Sequence, residues 1–305
     1  MLSLLRIRLH HAIDLWKASQ AVTTANDASS TCKEHGASAL TAQAIPIKRV
    51  GNATSLRYAC AIAHQLATSP DQASTIAAQL VDTLRHALAK DPDASFQEAL
   101  FQEIGIDATA TGFIQFEVGD RAIATWLNLR LAHAQPLPPL PTIPLGEAER
   151  QRMLQSPAVF DAQHAHARCC SLLRLAHYEA LIHLDRLAAS PQDWQFRSPA
   201  TVPWLKHTEE LNVLYPVDRA LIAQLLDAHD HLFDASRPRT QSSVLRSTQL
   251  VAHAFQAFHR AYPLYGGRPE DAAIVVVRLG LLMITQRVLH LLLHDGLKLY
   301  PAAEL

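Results

Sequence analysis

Five prolines fall between Pro136 and Pro144, and that run constrains the fold more than any other stretch. Proline has no amide hydrogen to give a helix or a ladder and holds φ near one value. The segment Gln135-Pro136-Leu137-Pro138-Pro139-Leu140-Pro141-Thr142-Ile143-Pro144 therefore favours an extended polyproline path and a semi-rigid spacer. It divides the 305 residues into an expected first domain over 1–134, a linker over 135–150 and a second domain over 151–305. Each part is long enough to bury a core of its own.

The second part reads as helical. Apolar residues at three- and four-residue spacing predict helices over Ala158–Ala189, Val217–Phe233, Ser243–Tyr262 and Pro269–Tyr300. Only 10 glycines occur in the whole chain, well under the average usage of ~7%. In the first part, residues 1–20 suit an amphipathic helix. Residues 21–44, rich in Thr, Ser and Ala without a period, suit a flexible insertion. Two further helices are expected over Ala59–Leu66 and Ser74–Leu88, separated at Ser69-Pro70-Asp71. Ile104 and Ile106, then Phe113, Ile114, Phe116 and Val118, form two short strand-like runs around an Ala110-Thr111-Gly112 turn.

Charge and cysteine content narrow the function. Lys and Arg number 12 against 14 acidic residues over 1–150, and 15 against 14 over 151–305. Neither part has the basic excess of a general nucleic-acid binder, so any RNA site has to be a local patch. Four cysteines without a Cys-x-x-Cys spacing suit neither a disulfide framework nor zinc, and point to the cytoplasm. His164 and His166, like His229 and His231, point to opposite sides of a helix, so no metal and no other cofactor is expected. Ile274–Leu293 is long enough to span a bilayer, but Arg278 and Arg287 interrupt it. It reads as a buried helix, with no membrane role.

One run is more specific than periodicity demands: His164-Ala165-His166-Ala167-Arg168-Cys169-Cys170-Ser171. It resembles the first helix of the DALR anticodon-binding domain of arginyl-tRNA synthetases. Phe255-Gln256-Ala257-Phe258-His259-Arg260-Ala261-Tyr262-Pro263-Leu264 and the register from Val276-Val277-Arg278-Leu279 to Gly296-Leu297-Lys298-Leu299 extend the resemblance over roughly 159–305. Where family members commonly carry Pro-x-x-Met, this chain has Pro301-Ala302-Ala303-Glu304-Leu305. Gly51-Asn52-Ala53-Thr54 and Thr111-Gly112-Phe113-Ile114-Gln115-Phe116 are similar to the N-terminal additional domain of the same enzymes. The implied fold is mainly α: a helical bundle of the DALR type preceded by a small α+β domain.

The His-x-Gly-His and Lys-Met-Ser-Lys signatures of the synthetase catalytic domain do not occur in the sequence, nor does a phosphate-cradling glycine loop. The resemblance thus implies a non-catalytic protein, with no catalytic residue to assign, that binds tRNA or another structured RNA. Phe113 and Gln115 would face a D-loop-like element. Arg168, Arg237, Arg239 and Tyr262 would face an anticodon-like loop. Each has a plainer reading: Arg168 as a tie between helices, Arg237 and Arg239 as part of a solvated loop, Tyr262 as helix-end packing. Two other roles fit the same pattern, a protein–protein adaptor that has lost RNA binding and a subunit presenting RNA to a separate catalytic chain. Oligomeric state is not written in the sequence.

Overall fold

The computed structural model describes residues 1–26, 40–52, 55–88, 96–132, 147–185, 187, 190–213, 215–236, 239–261 and 272–304. The chain separates into two compact units, Met1–Ala122 and Ile123–Leu305. The proline-rich segment 135–144 lies outside the described residues, as do 27–39 of the expected insertion.

In the first unit, α1 (Leu2–Asn26) runs through the start of the stretch expected to be a flexible insertion; alanine at Ala21 and Ala25 and the absence of Gly and Pro let the helix continue. Its buried stripe is Leu5, Leu9, Ala12 and Ile13, and it packs on α3 (Gln72–Leu88). The inward residues of α3 are Ala73, Ala77, Leu80 and Leu84, one helical face. Short helices α2 (Ile62–Leu66) and α4 (Phe96–Gln102) complete the layer. The sheet has four antiparallel strands, β1 (Ile47–Val50), β2 (Leu56–Cys60), β3 (Ile104–Ala108) and β4 (Ile114–Val118), in the order β1-β2-β4-β3. Strands β1 and β2 were not foreseen, and the expected helix over Ala59–Leu66 begins only at Ile62. Tyr58 and Cys60 alternate with exposed Arg57, so the local period is two rather than 3.6.

The β3–β4 turn matches the sequence expectation. Across it Thr109 N donates to Phe113 O at 2.8 Å, and the Thr109 hydroxyl accepts from Phe113 N at 2.9 Å. Gly112 has φ +84°, and a Cβ there would lie 2.7 Å from that of Ala73. Only glycine meets both the backbone and the space.

The second unit is built around α10 (Ala272–His290), buried without a break from Val277 to Leu289 and packed against α7 (Pro157–Tyr178), α8 (Pro216–Phe233) and α9 (Gln241–Ala261). With the π-helical turn Leu291–Gly296 that follows, α10 is long and apolar enough to cross a membrane, yet most of it is buried inside the unit. Its apolar surface is thus already covered by protein. At Gly280 an added Cβ would meet the Trp204 ring at 2.7 Å, so the missing side chain is what admits that indole. The remaining elements are α5 (Asp120–Ala132), which begins in the first unit, α6 (Glu147–Leu154) and a small hairpin, β5 (His183–Asp185) with β6 (Gln195–Ser198).

Two expected boundaries shift. Helix α7 stops at Tyr178 rather than at Ala189. Ala180 adopts φ 56°, its N–H reaches His177 O at 3.1 Å, and Leu181 N reaches Ala176 O at 2.9 Å. That is a Schellman ending with alanine where glycine is usual, so the sequence carries no glycine to announce it. Helix α10 gives way to π geometry before Tyr300.

Inside the bundle, Arg278 donates to Asp218 Oδ1 at 2.8 Å and to Phe258 O at 3.0 Å, while its guanidinium lies 4.0 Å from the Phe258 ring centroid. The two ionic side chains are 2% and 1% exposed. Asp218 Oδ2 also accepts from Tyr215 N at 3.0 Å, closing the start of α8. Asp218→Ala leaves the guanidinium charge buried without its counter-ion and should cost about 3–5 kcal/mol of stability; Asp218→Leu with Arg278→Met should recover most of that, short of the ~1 kcal/mol of the lost cap. Ala180→Gly, by removing the left-handed strain, should gain about 1 kcal/mol. Denaturant unfolding of the four proteins checks all of these, and an unchanged Asp218→Ala midpoint contradicts the ion-pair argument.

Candidate functional site

Helix α7 turns two different faces outward and inward. Ala165, His166, Ala167, Cys169 and Cys170 are buried; His164 and Arg168, from the same run, are exposed. The inward face grips the segment that follows Leu299. Gln163 donates its amide to Tyr300 O at 2.9 Å and accepts from Ala302 N at 2.6 Å. His166 Nδ1 lies 2.6 Å from Ala302 O, and its Nε2 lies 3.0 Å from the Gln286 amide nitrogen. A carbonyl only accepts and an amide nitrogen only donates, so His166 is neutral with its proton on Nδ1. Burial holds its pKa below the ordinary value, offset in part by the bond to Ala302. Arg174 adds a bond to Ala303 O at 3.3 Å and lies 5.3 Å from the Trp194 ring.

The outward face forms one wall of a groove of about 480 Å³ between α7 and α9. From α7 come Phe160, Asp161, His164 and Arg168; from α9 come Phe255, Gln256, His259 and Arg260. Four-residue spacing stacks an aromatic on an imidazole on each wall. Phe160 and His164 lie 6.5 Å apart at 27°, and Phe255 and His259 lie 5.9 Å apart at 4°. Phe160 is 63% exposed, a large ring left in water.

Positive charge dominates this groove. Arg168 makes no hydrogen bond or ion pair to any of the described residues. Arg260 is held loosely to Gln256 Oε1 at 3.4 Å, and the Asp161 carboxylate lies 3.6 Å from His253 Nε2. Burial, then the charges of Arg168, Arg278 and His164, lower the His259 pKa below its usual value. The depressed imidazole thus reports the positive charge of Arg168 at this end of the groove.

The other candidates fall differently. Phe113, immediately before β4, and Gln115 within it are both exposed, with Phe113 38% exposed and its ring 4.9 Å from that of His64. Phe116, on the opposite face, is core. Arg239 turns back to the end of α8, where Nη1 donates to Leu232 O at 2.9 Å. Part of its hydrogen-bonding capacity thus ties the α8–α9 connection. Arg237 and Tyr262 lie outside the described residues. Sequence reasoning missed Phe160, His164, Gln256, His259 and Arg260 as partners of Arg168; the signal was the repeated Phe-x-x-x-His at 160/164 and 255/259.

Covalent or metal chemistry finds little support among the described residues. The thiols are pushed up by burial, Cys60 to about 11 and Cys170 to about 12, with Cys169 higher than usual as well. Thiolate nucleophiles need the opposite shift. His166, His290 and His294 form a file with ring separations of 5.9 and 5.3 Å, and burial, helped by those two neighbours, brings His290 down to about 4. No group of three His, Cys, Asp or Glu side chains gathers to hold a metal ion among the described residues.

No family model matches the chain, and no solved structure does. It is similar to an arginine–tRNA ligase of Synechococcus sp. (strain JA-3-3Ab), 27% identical over 142 residues, which is 46% of this chain and 21% of the ligase. It is also similar to an arginine–tRNA ligase of Gloeobacter violaceus (strain ATCC 29082 / PCC 7421), 30% identical over 133 residues, 43% of this chain and 20% of that ligase. The matched region is thus about a fifth of the length of these curated relatives. What the comparisons carry is a distant relation to the arginine–tRNA ligases, over less than half of this chain.

Proposed function

We propose that this chain is a non-catalytic, cytoplasmic RNA-binding relative of the arginyl-tRNA synthetases, with a DALR-type second unit whose α7–α9 groove receives tRNA or a similarly structured RNA. The observation that carries the reading is Arg168, exposed and without an ion-pair partner among the described residues, in a groove beside the exposed Phe160 ring and its His164 neighbour. Guanidinium groups suit phosphates and flat rings suit unstacked bases. Phe113 and Gln115 are a second, separate surface, on the sheet of the first unit, that could take an RNA loop by the same means. Arg239, tied in part to Leu232 O, keeps further guanidinium donors for an RNA phosphate in this reading.

Near-neutral net charge, −1, fits a few local phosphate contacts rather than a broad field. A protein–protein adaptor is the second reading, favoured by the exposed rings of Phe160 and Tyr178. The two readings separate in one experiment. Binding of total tRNA and of an arginine-accepting tRNA is measured across a salt series for the wild type, Arg168→Ala and Phe113→Ala. Arg168→Ala should weaken binding and lower the log–log salt slope by about 1. Phe113→Ala should cost about 1–3 kcal/mol if it stacks a base, leaving the salt slope unchanged. Absence of binding at low salt removes the RNA reading.

A further inference from the structure

We propose that residues 300–304 form a strap held on α7 by neutral His166, and that a proton taken up by His166 releases it. The inference concerns the inner face of α7 and does not depend on RNA binding in the groove outside.

The strap is held by its main chain. Gln163 donates to Tyr300 O at 2.9 Å and accepts from Ala302 N at 2.6 Å, His166 Nδ1 lies 2.6 Å from Ala302 O, and Arg174 reaches Ala303 O at 3.3 Å. Side chains add little: Pro301 is buried, but Tyr300 is 83% exposed and Glu304 is exposed as well. A segment that buries so little apolar surface stays in place through its hydrogen bonds and opens locally when one of their partners changes.

His166 is the partner that can change. Its ring is 1% exposed, with the Ala302 carbonyl on one side and Gln286, 0% exposed, on the other. Nδ1–H donates to the carbonyl, and Nε2 accepts from the Gln286 amide at 3.0 Å. A second proton, on Nε2, sets one N–H against another. Turning the amide would present Gln286 Oε1, which has no hydrogen-bond partner among the described residues, yet a full charge would remain out of water. No carboxylate among the described residues pairs with the ring.

The charged and titratable groups around it do not supply the missing counter-ion. On α7 stand the Cys170 thiol, 3.9 Å from Nδ1, and Arg174, which has Glu304 of the strap itself at 3.4 Å. From α10 comes His290, 5.9 Å away; beyond it lie Asp193 and His294, the latter bonded to Asp295 at 2.7 Å. Cys170, pushed up to about 12, and His290, brought down to about 4, stay uncharged near neutral pH. Water reaches a charged ring by displacing the part-exposed strap that bonds it. With the strap closed, burial holds the imidazole below its ordinary value, offset in part by the bond to Ala302; with the strap open the ring returns to about 6.5. The open form then takes the proton more readily, so opening grows as pH falls through about 6.5 and levels off below the closed value.

Hydrogen exchange of the Ala302 amide, corrected for the intrinsic rate at each pH, reads the strap in the full chain, because Gln163 Oε1 accepts from that N–H. Exchange at Leu225 and Val251, both fully buried, reads the bundle in the same sample. From about pH 7.5 to about pH 5.5, protection at Ala302 should fall about five- to tenfold while Leu225 and Val251 keep theirs. In His166→Asn, whose amide can donate to Ala302 O from the place of Nδ1 and does not titrate, protection should not vary with pH. A flat wild-type profile overturns the proposal, as does a fall that His166→Asn shares. A parallel fall at Leu225 and Val251 also overturns it, since the whole bundle is then opening. Should His166→Asn fail to fold, the wild-type imidazole NMR titration of His166 decides: a midpoint that coincides with the loss at Ala302 supports the trigger, and a ring that stays neutral while the strap opens rejects it.

Discussion

The second unit depends on a buried cation on its central helix. Arg278 leaves α10 to meet Asp218 at the start of α8 and the Phe258 carbonyl near the end of α9, so one guanidinium fixes three helices at their polar ends. The arrangement is specific because a buried guanidinium has fixed donor directions, and each unsatisfied direction is costly. Asp218 serves twice, as counter-ion and as cap of Tyr215 N. A leucine of the same volume would fill the space without setting the positions of α8 and α9 around α10. Arg278 also acts at a distance, since its charge contributes to lowering the His259 pKa. The residue that organises the core thereby helps set the electrostatics of the groove outside it.

Helix α7 shows why the His-Ala-His-Ala-Arg run is built as it is. Residues 164 and 168 are four apart and share the outer face, whereas 166 and 170 share the inner face. Small alanines at 165 and 167 are fully or nearly fully buried and allow close packing beside α9 and α10. The inner histidine is held neutral by a donor and an acceptor on opposite ring nitrogens, so it bonds the Ala302 backbone without bringing a charge into the core. Gln163 reads the same backbone from both sides, as a neighbouring strand would. The run therefore divides its work between internal scaffolding and an outward groove, and the distant likeness to arginine–tRNA ligases is carried by a chain in which both faces have a physical use.

Much of the helical architecture was legible because α3, α8 and α9 are long and strictly periodic, and the Thr111-Gly112 turn was legible because glycine is the residue that a left-handed position against Ala73 demands. What escaped has specific causes. Strands β1 and β2 are four and five residues long, too short for alternation to outweigh the helix-forming alanines beside them. The end of α7 was hidden because alanine occupies the left-handed position. The extension of α1 was hidden because Thr and Ser resemble loop composition while still permitting helix. At the candidate site, Arg168 was visible as a residue type in a motif. Its partners on α9 were not, because what joins Phe160 and His164 to Phe255 and His259 is packing between α7 and α9, some ninety residues apart in sequence.

A formal charge of −1 for the chain says little about any one surface, because charge acts locally. Three acidic side chains of the bundle have a basic group close by: Asp218 by Arg278, Glu304 by Arg174 at 3.4 Å and Asp161 by His253 at 3.6 Å. Within the groove Asp161 stands against Arg168 and Arg260, which leaves the lining net positive while Arg168 stays unpaired among the described residues. Net charge sums these contributions and erases the distinction, whereas a ligand within a Debye length, about 8 Å at physiological salt, meets only the local field. On the RNA-binding reading proposed above, near-neutral overall charge favours selectivity, because a strand gains only where it places a phosphate at the local charge of the groove.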